Sequence, residues 1–200
     1  MSRRYFSWLA LMLSLSSLTM SVGCHPVAPK FQSTDISNSG WGQDFHLRDP
    51  QGRKRSLADY GGKAVLIFFG FIQCPDVCPT ALSRAVEIKR LLGKDSQRLQ
   101  VIFVTLDPER DSPPMLDEYV HAFDPSFVGL STTLEATQTT ARNFKVFYQK
   151  VPTGASYTMD HSAISYVFDP SGHLRLAVTH GQTAASVAAD LRILFREKAG

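Results

Sequence analysis

Two stretches of the chain are apolar at nearly every position, and they frame the rest. "KAVLIFFGF" (63–71) and "LQVIFVTLD" (99–107) are short runs of aliphatic, β-branched and aromatic residues without polar alternation. Such runs predict strands buried on both faces. Elsewhere the pattern turns helical. "TALSRAVEIKRLLGK" (80–94) carries Leu82, Val86, Leu91 and Leu92 at broadly helical spacing and stops at Gly93. "SPPMLDEYVHAF" (112–123) opens on Ser and Pro, as helices do. "TLEATQTTARNF" (133–144) reads as a weaker helix, and "AASVAADLRILFREK" (184–198) as a closing one. "SAISYVFDPSGHLRLAVTH" (162–180) is two strands about an Asp-Pro-Ser-Gly turn, and "FHLRDPQGRKRSL" (45–57) a shorter hairpin. Strands alternating with helices predict an α/β fold, and the late hairpin makes its sheet mixed. Sites in such sheets lie beyond the carboxyl ends of strands, so the residues after Phe71 come first.

The N-terminus follows another pattern. "MSRRYF" is basic, and "SWLALMLSLSSLTMSV" is an apolar, Ser-rich run near the lower length limit for a membrane span. It meets "SVGC". Small residues before a cysteine at this place resemble a bacterial lipoprotein signal, with residues 1–23 as the signal and Cys24 as the lipidated residue. Ser21 stands where that signal more often has Leu, and an uncleaved signal anchor is the other reading. The residues after Arg3-Arg4 do not fit twin-arginine export. Either way this segment is not part of the fold. It places the protein outside the cytoplasm, in the bacterial periplasm or cell envelope, tethered to a membrane. Residues 24–44, polar and rich in Ser, Pro and Gly, read as a flexible tether, which leaves one domain over 45–200. A chain of 200 residues, 44% of them hydrophobic, suffices for one core. Removing Arg3 and Arg4 from the 21 basic residues leaves 19 against 18 acidic ones, so charge points neither to nucleic acid nor to an anionic membrane surface.

After the first buried strand comes "CPDVCPT". Apart from Cys24, Cys74 and Cys78 are the only cysteines. In an oxidising compartment such a pair is a disulfide, is kept reduced by a partner, or is protected by a metal. As a staple it would close so short a loop that little unfolded-state entropy is removed. Three residues separate the sulfurs, one more than in ordinary dithiol oxidoreductases. The wider loop lets both face one soft ion and leaves a disulfide feasible. Pro79 suits the first helical position, so the helix is expected to start there, with Cys78 at its cap and Cys74 in the preceding turn. A helix N-terminus stabilises thiolates; Asp76 opposes this if it points inward. Two sulfurs are a thin shell, and a metal would need a third ligand. His25 lies in the tether, and His46, His121, His173 and His180 read most simply as surface or satisfied histidines. His161 differs by position, standing just before a predicted strand with Asp160 beside it.

"GKAVLIFFGFIQCPDVCPT", "VTLDPERDSP" and "MDHSAISYVFDPSG" occur in that order. Together they resemble the Sco (or SenC) family of copper-binding assembly factors for cytochrome c oxidase, over about residues 45–196. The resemblance implies a thioredoxin-like fold, a mixed central sheet flanked by helices. It implies Cys74, Cys78 and His161 as ligands of copper, Cu(I) or Cu(II). It also implies that Asp160, the acidic residue before the ligand histidine, tunes the imidazole without binding the ion. The function it implies is delivery of copper to, or redox preparation of, the dicopper site of cytochrome c oxidase subunit II. "DPERD" (107–111) matches a family segment as well. By its residues it reads as a loop in which Asp111 or Ser112 caps the helix opening at Pro113, with partner contact as a lesser role. The chain departs from the family at Phe71-Ile72-Gln73, where a Tyr-Thr-His-like stretch is usual. Gln73 cannot ligate or shuttle protons as an imidazole can.

Two thiolates and an imidazole form a soft set suited to Cu(I). A shell of three with an open side suits handing a metal on, whereas structural zinc wants four closed ligands. The rival readings are an extracytoplasmic thiol–disulfide reductase acting on partner cysteines, and a copper or redox sensor. Ordinary thioredoxins set a cis-proline opposite the dithiol, where this chain has "SYTMDHSAIS" with no proline. A peroxiredoxin would want Pro-Thr-x-x-Cys, and here the threonine follows the cysteines. A sensor would want an attached output domain, and none is read in the sequence.

Overall fold

The structure, a computed structural model, describes residues 30–197. The expectations for residues 1–23, Cys24 and His25 lie outside the described residues. The first strands are short: β1 (Thr34–Asp35), then β2 (Leu47–Arg48) and β3 (Lys54–Arg55), which pair as the predicted small hairpin. The two apolar runs form β4 (Ala64–Gly70) and β5 (Leu99–Thr105), parallel neighbours buried at every position. Helix α1 (Val77–Leu92) connects them. Then come α2 (Pro113–His121), β6 (Val128–Leu130) and α3 (Leu134–Asn143). A hairpin of β7 (Tyr148–Thr153) and β8 (Ser156–His161) follows, then β9 (Ile164–Phe168), β10 (Leu174–Thr179) and α4 (Ala184–Leu194). Six strands make one sheet in the order β1-β10-β9-β4-β5-β6. Its β4–β5 and β5–β6 pairs are parallel and the others antiparallel, so the sheet is mixed, as expected. Among the described residues no helix is long and apolar enough to cross a membrane.

Local chemistry explains the helix starts. Ser112, in extended conformation, takes the N-cap position of α2, with prolines in the first turn, where a missing N–H leaves no bond unmade. The hydroxyls of Thr133 and Thr183 accept backbone N–H groups at the starts of α3 and α4. The side chains then sort by face. Phe69, Tyr166 and Phe168 point to one side of the sheet and pack around Phe144, which follows α3, at ring separations of 5.0, 5.5 and 6.1 Å. On the other side a Cβ at Gly70 would meet the Cys78 sulfur and one at Gly129 would meet Leu116, so α1 and α2 share that face, and α4 packs on α1.

Two expectations need correction. Residues 24–44 were expected to be a flexible tether, yet the described part of that segment, from Lys30, is packed on the domain. The backbone N–H groups of Gln32 and Ser33 donate to the fully buried carboxylate of Asp190 in α4, at 2.9 and 2.8 Å. β1 then pairs with β10, and Gly42 lies so close over Phe144 that a Cβ there would stand 2.7 Å from its ring. The second correction is the β7–β8 hairpin, which was not predicted. It carries Pro152 in its first strand, which demotes a run read from sequence but is tolerated where a strand has a free edge. His161 therefore ends β8 and, as expected, also stands just before a strand, β9.

Candidate metal centre

The centre begins where β4 ends. The chain turns after Phe71, with the Cys74 N–H bonded to the Phe71 carbonyl at 3.2 Å. Helix α1 starts at Val77 with Asp76 as its cap, two residues earlier than expected from Pro79. Pro79 is compatible because the N–H groups of the first turn have no intrahelical acceptor in any case. Cys78 thus lies inside the first turn, fully buried, and Cys74 lies half-buried in the loop before it. The Cys78 backbone N–H donates to the Cys74 sulfur at 3.4 Å, so Cys74 occupies the place of a capping acceptor. Its thiol is held well below the usual thiol range, first by the hydrogen bond from the Cys78 thiol. The backbone N–H groups of Asp76 and Cys78 add to this, against the opposing effect of burial. Cys78 is pushed the other way, by donating to Cys74 and by its own burial. The two sulfurs are therefore chemically unequal.

His161 reaches the same point from the end of β8. Its Nε2 lies 3.7 Å from the Cys78 sulfur, and its ring stands edge-on to Phe68 and Phe71, each 5.9 Å away between centroids. Its Nδ1 lies 3.1 Å from the Ser162 carbonyl oxygen. A carbonyl can only accept, so Nδ1 carries the hydrogen and Nε2 turns its lone pair toward the sulfurs. One donor atom from each of Cys74, Cys78 and His161 lies within 4.8 Å of the other two. Ligand atoms about 2.0–2.3 Å from an ion stand about 3.5–4 Å apart, so the trio fits one ion after small adjustments.

Asp160 does not take its expected part. It is exposed and makes no hydrogen bond to His161, because successive residues of a strand point to opposite faces. The Ser162 carbonyl orients the imidazole instead. Of the two residues expected to cap α2, Asp111 and Ser112, it is Ser112 that stands at the N-cap position. Asp111 is 2% exposed and accepts from the Ile72 N–H at 3.1 Å and the Thr105 hydroxyl at 2.6 Å. It thereby ties the cysteine loop to the end of β5. Burial pushes its carboxyl up, against the lowering effect of those two bonds. Tyr119 of α2, edge-on to Phe103 at 5.6 Å, was not singled out from sequence. Burial and the nearby Cys78 and Cys74 push its phenol upward, so it stays neutral behind the sulfurs.

Comparison with known proteins agrees with this geometry. The SCO1/SenC family model matches residues 33–196, which include β1 and all three candidate ligands. A SCO2-like protein of Rickettsia felis is 38% identical over 134 residues, 66% of this chain and 65% of that protein, so the chain spans just under two thirds of this relative's length. The apo Sco1 structure from Thermus thermophilus superposes with a TM-score of 0.71 at 41% identity, covering 84% of this chain and 99% of that one. Copper-bound ScoI from Bradyrhizobium japonicum gives a TM-score of 0.69 at 38% identity, covering 76% and 97%. These structures bear out the thioredoxin-like expectation. With its family model matched across the whole described sheet and both cysteine and histidine segments, the chain belongs to the SCO1/SenC family.

Proposed function

We propose that this protein carries copper as cargo for the assembly of cytochrome c oxidase, with Cys74, Cys78 and His161 as its ligands and the dicopper site of subunit II as acceptor. The carrying observation is the convergence of these three side chains within 4.8 Å, from two elements far apart in the chain. The copper bound to Bradyrhizobium japonicum ScoI supports the choice of metal. Two thiolates favour Cu(I), and the imidazole lets the same site accept Cu(II). Three protein ligands leave one side open. An incoming acceptor thiolate can bind before Cys74, the more exposed sulfur, lets go. Loading is tied to redox state: loss of two electrons and two protons to an oxidant joins the sulfurs in a Cys74–Cys78 disulfide and removes both as ligands. We also infer an extracytoplasmic, membrane-associated location. Residues 1–23 would act as signal and Cys24 as the lipid attachment point.

The unequal sulfurs favour one second reading, reduction of an acceptor's disulfide. Cys74 would attack as the thiolate and Cys78 would resolve the mixed disulfide, leaving Cys74–Cys78 oxidised and the acceptor dithiol reduced. One experiment separates the two. Copper binding and the electron paramagnetic spectrum are measured for wild type, Cys74→Ser, Cys78→Ser and His161→Ala. The carrier reading requires reduced wild type to bind copper, each cysteine variant to lose it, and His161→Ala to change the Cu(II) spectrum. Turnover of disulfides in metal-free buffer, indifferent to His161→Ala, would support the reductase.

A further inference from the structure

We propose that Arg110 is the residue that holds the histidine-bearing hairpin against the cysteine loop, so that His161 meets the two sulfurs in one fixed arrangement. The inference rests on the metal-binding reading above. β7 and β8 pair only with each other among the described strands, so no backbone ladder ties the hairpin to the main sheet, and Met159 is its one side chain in the core. Its base is fixed by the short connection to β9 and by the Phe147–Ser162 bonds. Its outer part is fixed by the loop between β5 and α2. Arg110 leaves that loop with a side chain only 18% exposed and pairs through Nε with Asp107, whose side chain is 1% exposed. Its Nη1 donates in two directions: to the Gln73 side-chain oxygen at 3.1 Å, next to Cys74, and to the Tyr157 carbonyl at 2.8 Å, in β8. The guanidinium also lies over the Tyr157 ring, 3.6 Å from its centroid, and the Tyr157 hydroxyl donates to Asp107 at 2.9 Å. Asp107, Arg110 and Tyr157 thus form a closed ring that bridges both ligand-bearing segments. Glu109 adds an ion pair to Lys150 of β7.

Only arginine suits this place. A planar fork can pair with a carboxylate, donate to two further oxygens and stack on a ring at the same time; lysine offers one ammonium and no plane. Nη2, left without an acceptor, is buried, so the ring stack covers it in place of water. Gln73 gains a role here. The residue at which this chain leaves its family's pattern supplies the acceptor that joins the cysteine loop to Arg110.

The test compares full-length wild type with Arg110→Lys and Gln73→Ala, reduced and copper-free, by hydrogen exchange, and then titrates each with Cu(II). In Arg110→Lys the amides of 156–161 should exchange about tenfold faster, the size expected for one lost hydrogen bond, with β4 and β5 unchanged. Its Cu(II) affinity should fall about ten- to hundredfold, the usual effect of removing a partner that orients a metal ligand, and its paramagnetic spectrum should move toward that of His161→Ala. Gln73→Ala, a change at an exposed side chain, should give a smaller loss of affinity in the same direction. Hairpin exchange equal to wild type overturns the proposal even with copper binding intact. So does equal acceleration in β4 and β5, which would make Arg110 a general stabiliser. A wild-type chain that binds no copper overturns the functional reading, while the exchange data still decide whether Arg110 holds the hairpin.

Discussion

At Gly70 one missing carbon lets Cys78 fit. A Cβ there would lie 2.6 Å from the Cys78 sulfur and 3.0 Å from the Phe103 ring. Neither neighbour is free to yield, since Cys78 sits in the first turn of α1 and Phe103 in β5. Gly70→Ala should destabilise the protein by about 1–3 kcal/mol and weaken copper binding, as read from urea unfolding and a copper titration. A variant as stable as wild type with unchanged binding would show that the start of α1 can shift. The sulfurs themselves should titrate apart. Because the Cys74 thiol is lowered, it is a thiolate at neutral pH and remains one as pH falls into the acid range; Cys78, raised, remains a thiol. Iodoacetamide labelling of Cys74 in the reduced, metal-free protein should therefore be nearly constant from about pH 8 down to about pH 6. An ordinary thiol, with a pKa near 8.5, loses about tenfold in rate per unit over that range. Such a loss at Cys74 would contradict the geometry that has Cys78 donating to it.

The elements differ in how plainly they are written. β4 and β5 were legible because strands buried on both faces must be apolar throughout, and α2 because Ser112 and its prolines mark a helix start. The cysteines were legible as a pair, and His161 stood out only by its place before a strand. The β7–β8 hairpin was not legible, because Gln149, Lys150 and Pro152 do not read as a strand and it buries only Met159 in the core, with no run of apolar residues to mark a face. Between Asp111 and Ser112 as the cap the sequence could not choose, for a related reason. An Asp before Ser-Pro-Pro looks like a cap, and nothing local reveals that its carboxylate turns back to Ile72, 39 residues away in the chain. The two functions predict different variants. Asp111→Ala should leave the Ile72 N–H unpaired at a cost of about 1–3 kcal/mol and loosen the loop that carries Cys74. Asp111→Asn keeps an oxygen for both donors and should be close to neutral. Burial raises this carboxyl in the folded state, so the fold prefers it uncharged. The wild type should gain stability relative to Asp111→Asn as pH falls through that raised value, the opposite of a salt-bridged surface carboxylate. Chemical denaturation of both variants at neutral and acid pH checks the order; an Asp111→Ala as stable as Asp111→Asn would remove the argument.

For the whole molecule, the packing of residues 30–44 changes how far the copper site can stand from a membrane. A free tether over 24–44 would span up to about 70 Å at about 3.5 Å per residue. With Gln32 and Ser33 bound to Asp190 and β1 bound to β10, seven residues lie between Cys24 and the first fixed point, or at most about 30 Å. A lipid on Cys24 would then keep the domain close against the membrane face. The lipid reading makes a definite claim. The wild-type chain should take up radiolabelled fatty acid and fractionate with membranes, whereas Cys24→Ser should lose the label. A single acyl chain anchors only marginally and two or more hold firmly, so an intact lipoprotein should resist washing in high salt. If Cys24→Ser stays in the membrane with its first 23 residues uncleaved, the segment is a signal anchor and Cys24 carries no lipid. The short reach would remain in that case, because it depends on Asp190 and β1 holding the chain from Gln32 onward and not on what holds it in the bilayer.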